Sequence, residues 1–219
     1  MAEPKGMMNL FPVQVFKFEL GEESIQKALE AYKKVYREAP IVHAFDDNSD
    51  SKVEDSMVWN EVLNNPEFLP FQQEVLESVA SSCPRGQSIG SWKIVSGWMN
   101  KQVKGANSFP FHSHTDAVMS CVVYLSGKDM TITFRDSPKE SLPAVQGNHE
   151  EFGIICRRNW WQDAEIPVSP GDIILFPSYL VHKGNTNEND EDRVCVAYNF
   201  WPERLIHPDT PPWVMKIAI

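Results

Sequence analysis

The chain has 219 residues, 42% of them apolar and 11% aromatic, and a formal net charge of −10. That is enough for one sizeable core, and a single domain over residues 1–219 is expected. The acidic balance, with no basic run longer than two residues, argues against the clustered Lys/Arg on which nucleic-acid affinity rests.

No apolar run approaches membrane-spanning length, and residues 1–10 lack the apolar core of a signal peptide. Cys83, Cys121, Cys156 and Cys195 are scattered without a C-x-x-C spacing, and three of them sit among apolar neighbours. They read as core thiols of a reducing compartment. The expected location is the cytoplasm.

Residues 11–18 are aromatic and β-branched and predict a first strand. Residues 22–38 carry Ile25, Ala28, Leu29, Tyr32, Val35 and Tyr36 at spacings of three and four, an amphipathic helix, with Pro40 beyond its end. Residues 46–55 are acidic and serine-rich and predict an exposed loop. A second helix is expected over 66–81, with Phe68, Leu69, Phe71, Val75, Leu76 and Val79 facing inward. Pro66 suits its first turn, and Pro70 limits where it can begin.

From Ser91 the character turns to β. Trp92, Ile94, Ser96 and Trp98 alternate with Lys93, Val95, Gly97 and Met99, so each set is expected on one face. Further strands are predicted over 118–125, 130–134, 152–156, 172–176 and 194–200, separated by turn residues. Helices first (about 20–85), then a β core (about 90–201) without βαβ alternation, give a mainly β sandwich or barrel with flanking helices. Residues 137–162 are the least regular stretch in the β half and read as a lid or insertion.

The chemistry concentrates in Phe111-His112-Ser113-His114-Thr115-Asp116. In an extended segment His112, His114 and Asp116 share a face, but alternate residues lie about 6.6–6.8 Å apart. One metal ion cannot gather all three without a bend. His114 and Asp116 with His182 make a two-histidine, one-carboxylate set that leaves metal positions open, as in non-haem Fe(II) oxygenases. His112, His114 and His182 make a three-histidine alternative. Cupins also use H-x-H, but where they place a glutamate this chain has Ala117 and Val118. The facial set is therefore preferred, and His112 is read as lining the metal ligands or the substrate. The bland alternative for His112 and His114 is a pair of ordinary strand histidines.

Arg193 opens a strand on which Arg193, Cys195, Ala197 and Asn199 share one face. One arginine, one asparagine and small side chains suit the wall of a polar pocket better than a hydrophobic core. Ser120, Val122 and Tyr124 continue the parity of His114. Arg193 and Tyr124 are placed to grip one carboxylate, bidentately and by one hydrogen bond. Ser120 and Asn199 are added as candidate contacts on the same walls. The competing reading pairs Arg193 with a nearby acid such as Asp190 and makes Tyr124 core.

In order and spacing, Trp98-Met99-Asn100, Gly105, Asn107, His112-Ser113-His114, Tyr124-Leu125, Phe176-Pro177-Ser178, His182, Arg193 and Tyr198-Asn199 resemble the 2-oxoglutarate/Fe(II)-dependent oxygenases. The likeness is greatest to the branch common in phages and marine bacteria and covers roughly residues 98–200. Cys121, Val123 and Thr115 depart from its pattern, where glycine, tyrosine and proline are usual. The resemblance implies a double-stranded β-helix (jelly-roll) core with helices outside it. It implies Fe(II), 2-oxoglutarate and O2, with ascorbate as a reductant, and release of succinate and CO2 as an unactivated C–H bond is hydroxylated. Arg193, Tyr124, Ser120 and Asn199 become cosubstrate contacts, and His112, Asn100 and Trp98 become residues beside the ligands or the substrate. The alternatives are a cupin-type metal enzyme that does not use 2-oxoglutarate and a non-catalytic jelly-roll binding protein.

The substrate, a small molecule or a protein, is not legible, and a homodimer is compatible with the sequence. Trp160-Trp161 is the best lid candidate. His149 and Arg157-Arg158 lie in the same stretch.

Overall fold

The computed structural model describes residues 13–38, 42–43, 55–59, 63, 65–82, 91–106, 110–114, 117–135 and 163–203. The predicted strand at 152–156, the irregular stretch 137–162 with its tryptophans and basic pair, and the loop at 46–54 lie outside them. So do Asn107 and Asp116.

Strand β1 (Phe16–Glu19) leads into helix α1 (Glu22–Glu38), whose first turn holds Glu22 and Glu23, favourable beside the positive end of the helix dipole. Ala28, Ala31 and Tyr32 form its buried stripe. Strands β2 (Val42–His43) and β3 (Asp55–Trp59) make a short antiparallel pair that the sequence did not announce. The second helix begins as a 3-10 turn (Pro66–Phe68), where Asn65 Oδ1 accepts from Glu67 N at 3.0 Å, and continues as α2 (Leu69–Ser82). Pro70 thus sits in the first α-turn, where its missing N–H costs nothing. Phe68, Phe71, Val75 and Val79 recur every three or four residues and are buried.

The remaining strands are β4 (Trp92–Gln102), β5 (Met119–Ser126), β6 (Met130–Arg135), β7 (Asp163–Val168), β8 (Asp172–Pro177), β9 (Val181–Gly184) and β10 (Arg193–Pro202). They form a seven-stranded sheet, β1-β8-β5-β10-β4-β3-β2, and a three-stranded sheet, β7-β6-β9, antiparallel throughout. This is the double-stranded β-helix expected. Gly171, at φ +98°, makes the turn into β8.

The central strands β8, β5 and β10 of the large sheet are buried on both faces. Val123, Leu125, Ile173, Leu175, Val196, Tyr198 and Phe200 face the two helices. Tyr124, Ile174, Phe176 and Cys195, of opposite parity, face Met130, Ile132, Phe134 and Val168 on the small sheet or at its edge. The space between the sheets is the one that matters chemically. Among the described residues no helix is long and apolar enough to cross a membrane.

One expectation about β4 is corrected. Asn199 pairs with Ser96 but Phe200 pairs with Ile94, so Val95 is an extra, bulged residue. Trp92 and Ile94 therefore pack against the helix-side core, while Ser96 stands opposite Asn199 on the inner face and bonds to its side chain. The four residues expected on one face are divided by that bulge.

Candidate metal and cosubstrate site

At one end of the space between the sheets, three imidazoles converge. His112 bridges His182 in antiparallel fashion, with His112 N donating to His182 O at 3.1 Å and His182 N to His112 O at 2.9 Å. His114 N donates to Ser178 O at 2.8 Å. The ring centroids lie 4.4 Å (His112–His182), 5.1 Å (His114–His182) and 5.3 Å (His112–His114) apart. One nitrogen from each ring falls within 4.8 Å of the others.

The other nitrogen of each ring is engaged. His112 Nδ1 lies 2.9 Å from Pro110 O, His182 Nδ1 lies 2.9 Å from Leu180 O, and His114 Nδ1 lies 2.8 Å from Asn199 Oδ1. With Nδ1–H donating to these oxygens, each Nε2 carries a lone pair, the tautomer a metal ligand needs. The buried His114 Nε2 makes no hydrogen bond among the described residues. Burial, reinforced by His112, pushes the pKa of His182 down to about 3, so its ring is neutral. Three imidazoles oriented in this way fit a divalent transition-metal ion. Of the two ligand sets the spacing left open, the described residues assemble His112, His114 and His182; Asp116 lies outside them.

From this end, paired inner-face positions run along the barrel: Ser120 opposite Asn199, Val122 opposite Ala197, Tyr124 opposite Cys195. On the other side of β10, Trp98, Asn100 and Gln102 stand opposite Ala197, Cys195 and Arg193. Trp98 meets the His114 ring edge-on, with centroids 5.2 Å apart. The amide oxygen of Asn100 is buried without a hydrogen bond among the described residues.

Arg193 closes the far end. It is 3% exposed, and its Nη1 donates to Gln102 Oε1 at 3.0 Å and to Asn185 O at 2.5 Å. Both acceptors are neutral, and they orient the guanidinium. The acids that precede it go elsewhere: Asp190 to Lys104 (2.7 Å), Glu191 to Lys128 (3.4 Å) and Asp192 to Lys101 (2.8 Å). The competing expectation, an Arg193–Asp190 pair, is thereby corrected. Burial raises the pKa of the Tyr124 phenol and the nearby Arg193 charge pulls it back, which keeps Tyr124 a neutral donor beside a buried cation.

Residues 96–199 match the family model described as "Putative 2OG-Fe(II) oxygenase". That stretch of the chain carries the signature of the 2-oxoglutarate/Fe(II) oxygenases. Among solved structures the oxygenase is similar to SnoK, a non-heme α-ketoglutarate-dependent carbocyclase from nogalamycin biosynthesis (TM-score 0.63, 13% identity, 86% of this chain and 79% of that one). It is similar to HygX from Streptomyces hygroscopicus, solved with nickel and 2-oxoglutarate bound (0.58, 12%, 87% and 83%). A Pseudomonas putida prolyl-4-hydroxylase also aligns (0.55, 10%, 85% and 92%). At such identities the likeness is one of fold. No curated protein matches the sequence.

Several residues of this oxygenase site carried no assigned role in the sequence reading. Gln102 lies on the strand that holds Trp98 and Asn100, and its i+2 spacing from Asn100 was a usable signal. Ser178 stood inside the quoted Phe176-Pro177-Ser178 motif without a job. Asn185, whose carbonyl holds Arg193, had no signal beyond lying in a polar loop.

Proposed function

We propose that this 2-oxoglutarate/Fe(II) oxygenase hydroxylates an unactivated C–H bond, with His112, His114 and His182 holding the iron and Arg193 and Tyr124 holding the distal carboxylate of 2-oxoglutarate. The reading is carried by one observation: three imidazole nitrogens within 4.8 Å of one another, with His182 on β9 of the small sheet, meet in the space between the sheets, and the large sheet carries a buried arginine on its wall of that space. Three imidazole ligands bring no negative charge, so one carboxylate of the cosubstrate would offset part of the ion's double positive charge while the other meets Arg193. At a bound iron, O2 would be the oxidant, with one oxygen atom entering the substrate and the other the succinate formed as 2-oxoglutarate gives up two electrons and CO2. The chain's own residues supply position and dryness. Ile174, Phe176 and Phe134 line the interior and exclude water. Arg193 offers a desolvated, pre-oriented fork that a carboxylate can match.

A role in the cytoplasm suits the buried thiols Cys121 and Cys195, which are free. The substrate class stays open between small molecule and protein. The test is aerobic incubation with Fe(II), 2-oxoglutarate and ascorbate. Succinate should form, and a candidate substrate should gain the mass of one oxygen atom. Succinate with no gain of oxygen, as an epimerisation or ring closure would give, overturns hydroxylation. Absence of succinate from iron-loaded protein favours a cupin-type enzyme or a binding protein.

A further inference from the structure

His114 differs from the other two histidines in what holds it. His112 and His182 lean on backbone carbonyls two residues away, whereas the Nδ1 of His114 enters a closed cluster of side chains drawn from four parts of the barrel. Asn199 Oδ1 lies 2.8 Å from it and Ser120 Oγ also 2.8 Å. Ser120 Oγ donates to Asn199 Oδ1 at 2.7 Å and lies 2.7 Å from Ser178 Oγ. Asn199 Nδ2 donates to Ser96 Oγ at 2.9 Å. Ser120 and Ser178 are fully buried and Asn199 is 2% exposed, so no water competes for these atoms.

The proton positions follow. Because Nδ2 of Asn199 is committed to Ser96, its Oδ1 must face the imidazole, and a carbonyl oxygen only accepts. The ring must therefore bring its N–H to that side. Ser120 spends its own proton on the same Oδ1, so Ser178 donates to Ser120. The ring is fixed as the Nδ1–H tautomer, with Nε2 left as the electron-pair donor. Ser178 acts twice, since its carbonyl also takes the backbone N–H of His114 at 2.8 Å.

We propose that Asn199, Ser120, Ser178 and Ser96 form a positioning network that locks the orientation and tautomer of His114, and that Asn199 and Ser120 serve the metal ligand instead of contacting the cosubstrate. This rests on His114 being a metal ligand, as proposed above. It gives the serine of the Phe176-Pro177-Ser178 motif and the asparagine of Tyr198-Asn199 a single shared purpose. Loss of an outer contact of this kind typically costs a metal site about 10–100-fold in affinity.

The experiment compares Asn199→Leu, which removes the acceptor, with Asn199→Asp, which keeps an acceptor-only oxygen there. Cobalt(II) is titrated into each metal-free protein, and 2-oxoglutarate is then titrated into each cobalt-saturated protein. The expected result is a loss of about 10–100-fold in cobalt affinity for Asn199→Leu, near-wild-type affinity for Asn199→Asp, and unchanged 2-oxoglutarate affinity for both. Nitrogen NMR of the metal-free proteins supplies a second readout: His114 protonated at Nδ1 in the wild type and Asn199→Asp, and a tautomer mixture in Ser120→Ala/Asn199→Leu. Cobalt affinity equal to wild type with weakened 2-oxoglutarate binding in Asn199→Leu would overturn the network and restore a cosubstrate role. Failure of the wild type itself to take up cobalt would sink the metal reading, a distinguishable outcome.

Discussion

His112 and His182 hold one another by a reciprocal pair of backbone hydrogen bonds, at 3.1 and 2.9 Å, which sets their rings 4.4 Å apart. The neighbour of His112 is clamped as well. The guanidinium of Arg135 lies 3.6 Å from the centre of the Phe111 ring and is itself fixed by two 2.8 Å bonds to Asp163. On the proposed reading this firmly placed residue is a metal ligand. His112→Ala should cost more in iron affinity than the about 10–100-fold expected of an outer contact. Asp116→Ala should retain iron. Metal content after dialysis, measured for both variants, checks this, and the opposite pattern would reinstate the two-histidine, one-carboxylate set.

Arg193→Leu removes a buried cation that Gln102 and Asn185 orient. The variant should lose about 2 kcal/mol or more in 2-oxoglutarate affinity, since breaking a buried charged pair costs on the order of 2–5 kcal/mol. Iron uptake should be unaffected. Equilibrium binding of each, measured separately, gives the answer, and an unchanged cosubstrate affinity would remove Arg193 from that role.

The metal-free protein should weaken in acid. Burial first, then the neighbouring His112, lowers the pKa of His182 from its ordinary 6.5 to about 3. Between those values the unfolded chain binds a proton that the folded chain refuses, so stability rises with pH across the window. The contribution of His182 is therefore full above pH 6.5 and is lost progressively below it, by at most about 1.4 kcal/mol per pH unit. Urea denaturation of metal-free protein at a series of pH values checks the slope. A His182→Gln variant should show a shallower one.

Gly97 faces Tyr198 across β4 and β10, and a methyl group there would stand 2.6 Å from Tyr198 Cδ1. The tyrosine ring is fully buried against Phe71 and cannot swing clear. Gly97→Ala should destabilise the fold by about 1–3 kcal/mol, an overpacking cost. Thermal melting reads it directly, and an unchanged midpoint would mean that the core gives way more easily than this packing implies.

Much of this was legible because the inner wall is built from period-2 alternation. The face shared by Arg193, Cys195, Ala197 and Asn199 could be read from residue parity alone, as could the face carrying Ser120, Val122 and Tyr124. Parity fails where a strand gains a residue: the bulge at Val95 divides Trp92 and Ile94 from Ser96, and nothing in the local composition marks it. Strand β9 is four residues long, with a lysine and a glycine among them, and β7 opens on Asp-Ala-Glu, so neither announces itself by hydrophobicity. The metal cluster was half legible. Spacing showed that His114 could pair with only one flanking ligand, but the choice of His112 depends on its bridge to a residue 70 positions away. No local pattern encodes that contact. The bonding of Ser120 and Asn199 was hidden for the same reason: their faces were readable, their partners were not.

The most direct measurement is an anaerobic titration of 2-oxoglutarate into iron(II)-loaded protein, followed by visible absorption. A saturable charge-transfer band should grow in the wild type, be absent in His182→Ala, and require far more 2-oxoglutarate in Arg193→Leu. A wild-type protein that binds iron yet develops no band on adding 2-oxoglutarate would contradict the claim that both are held in one cavity.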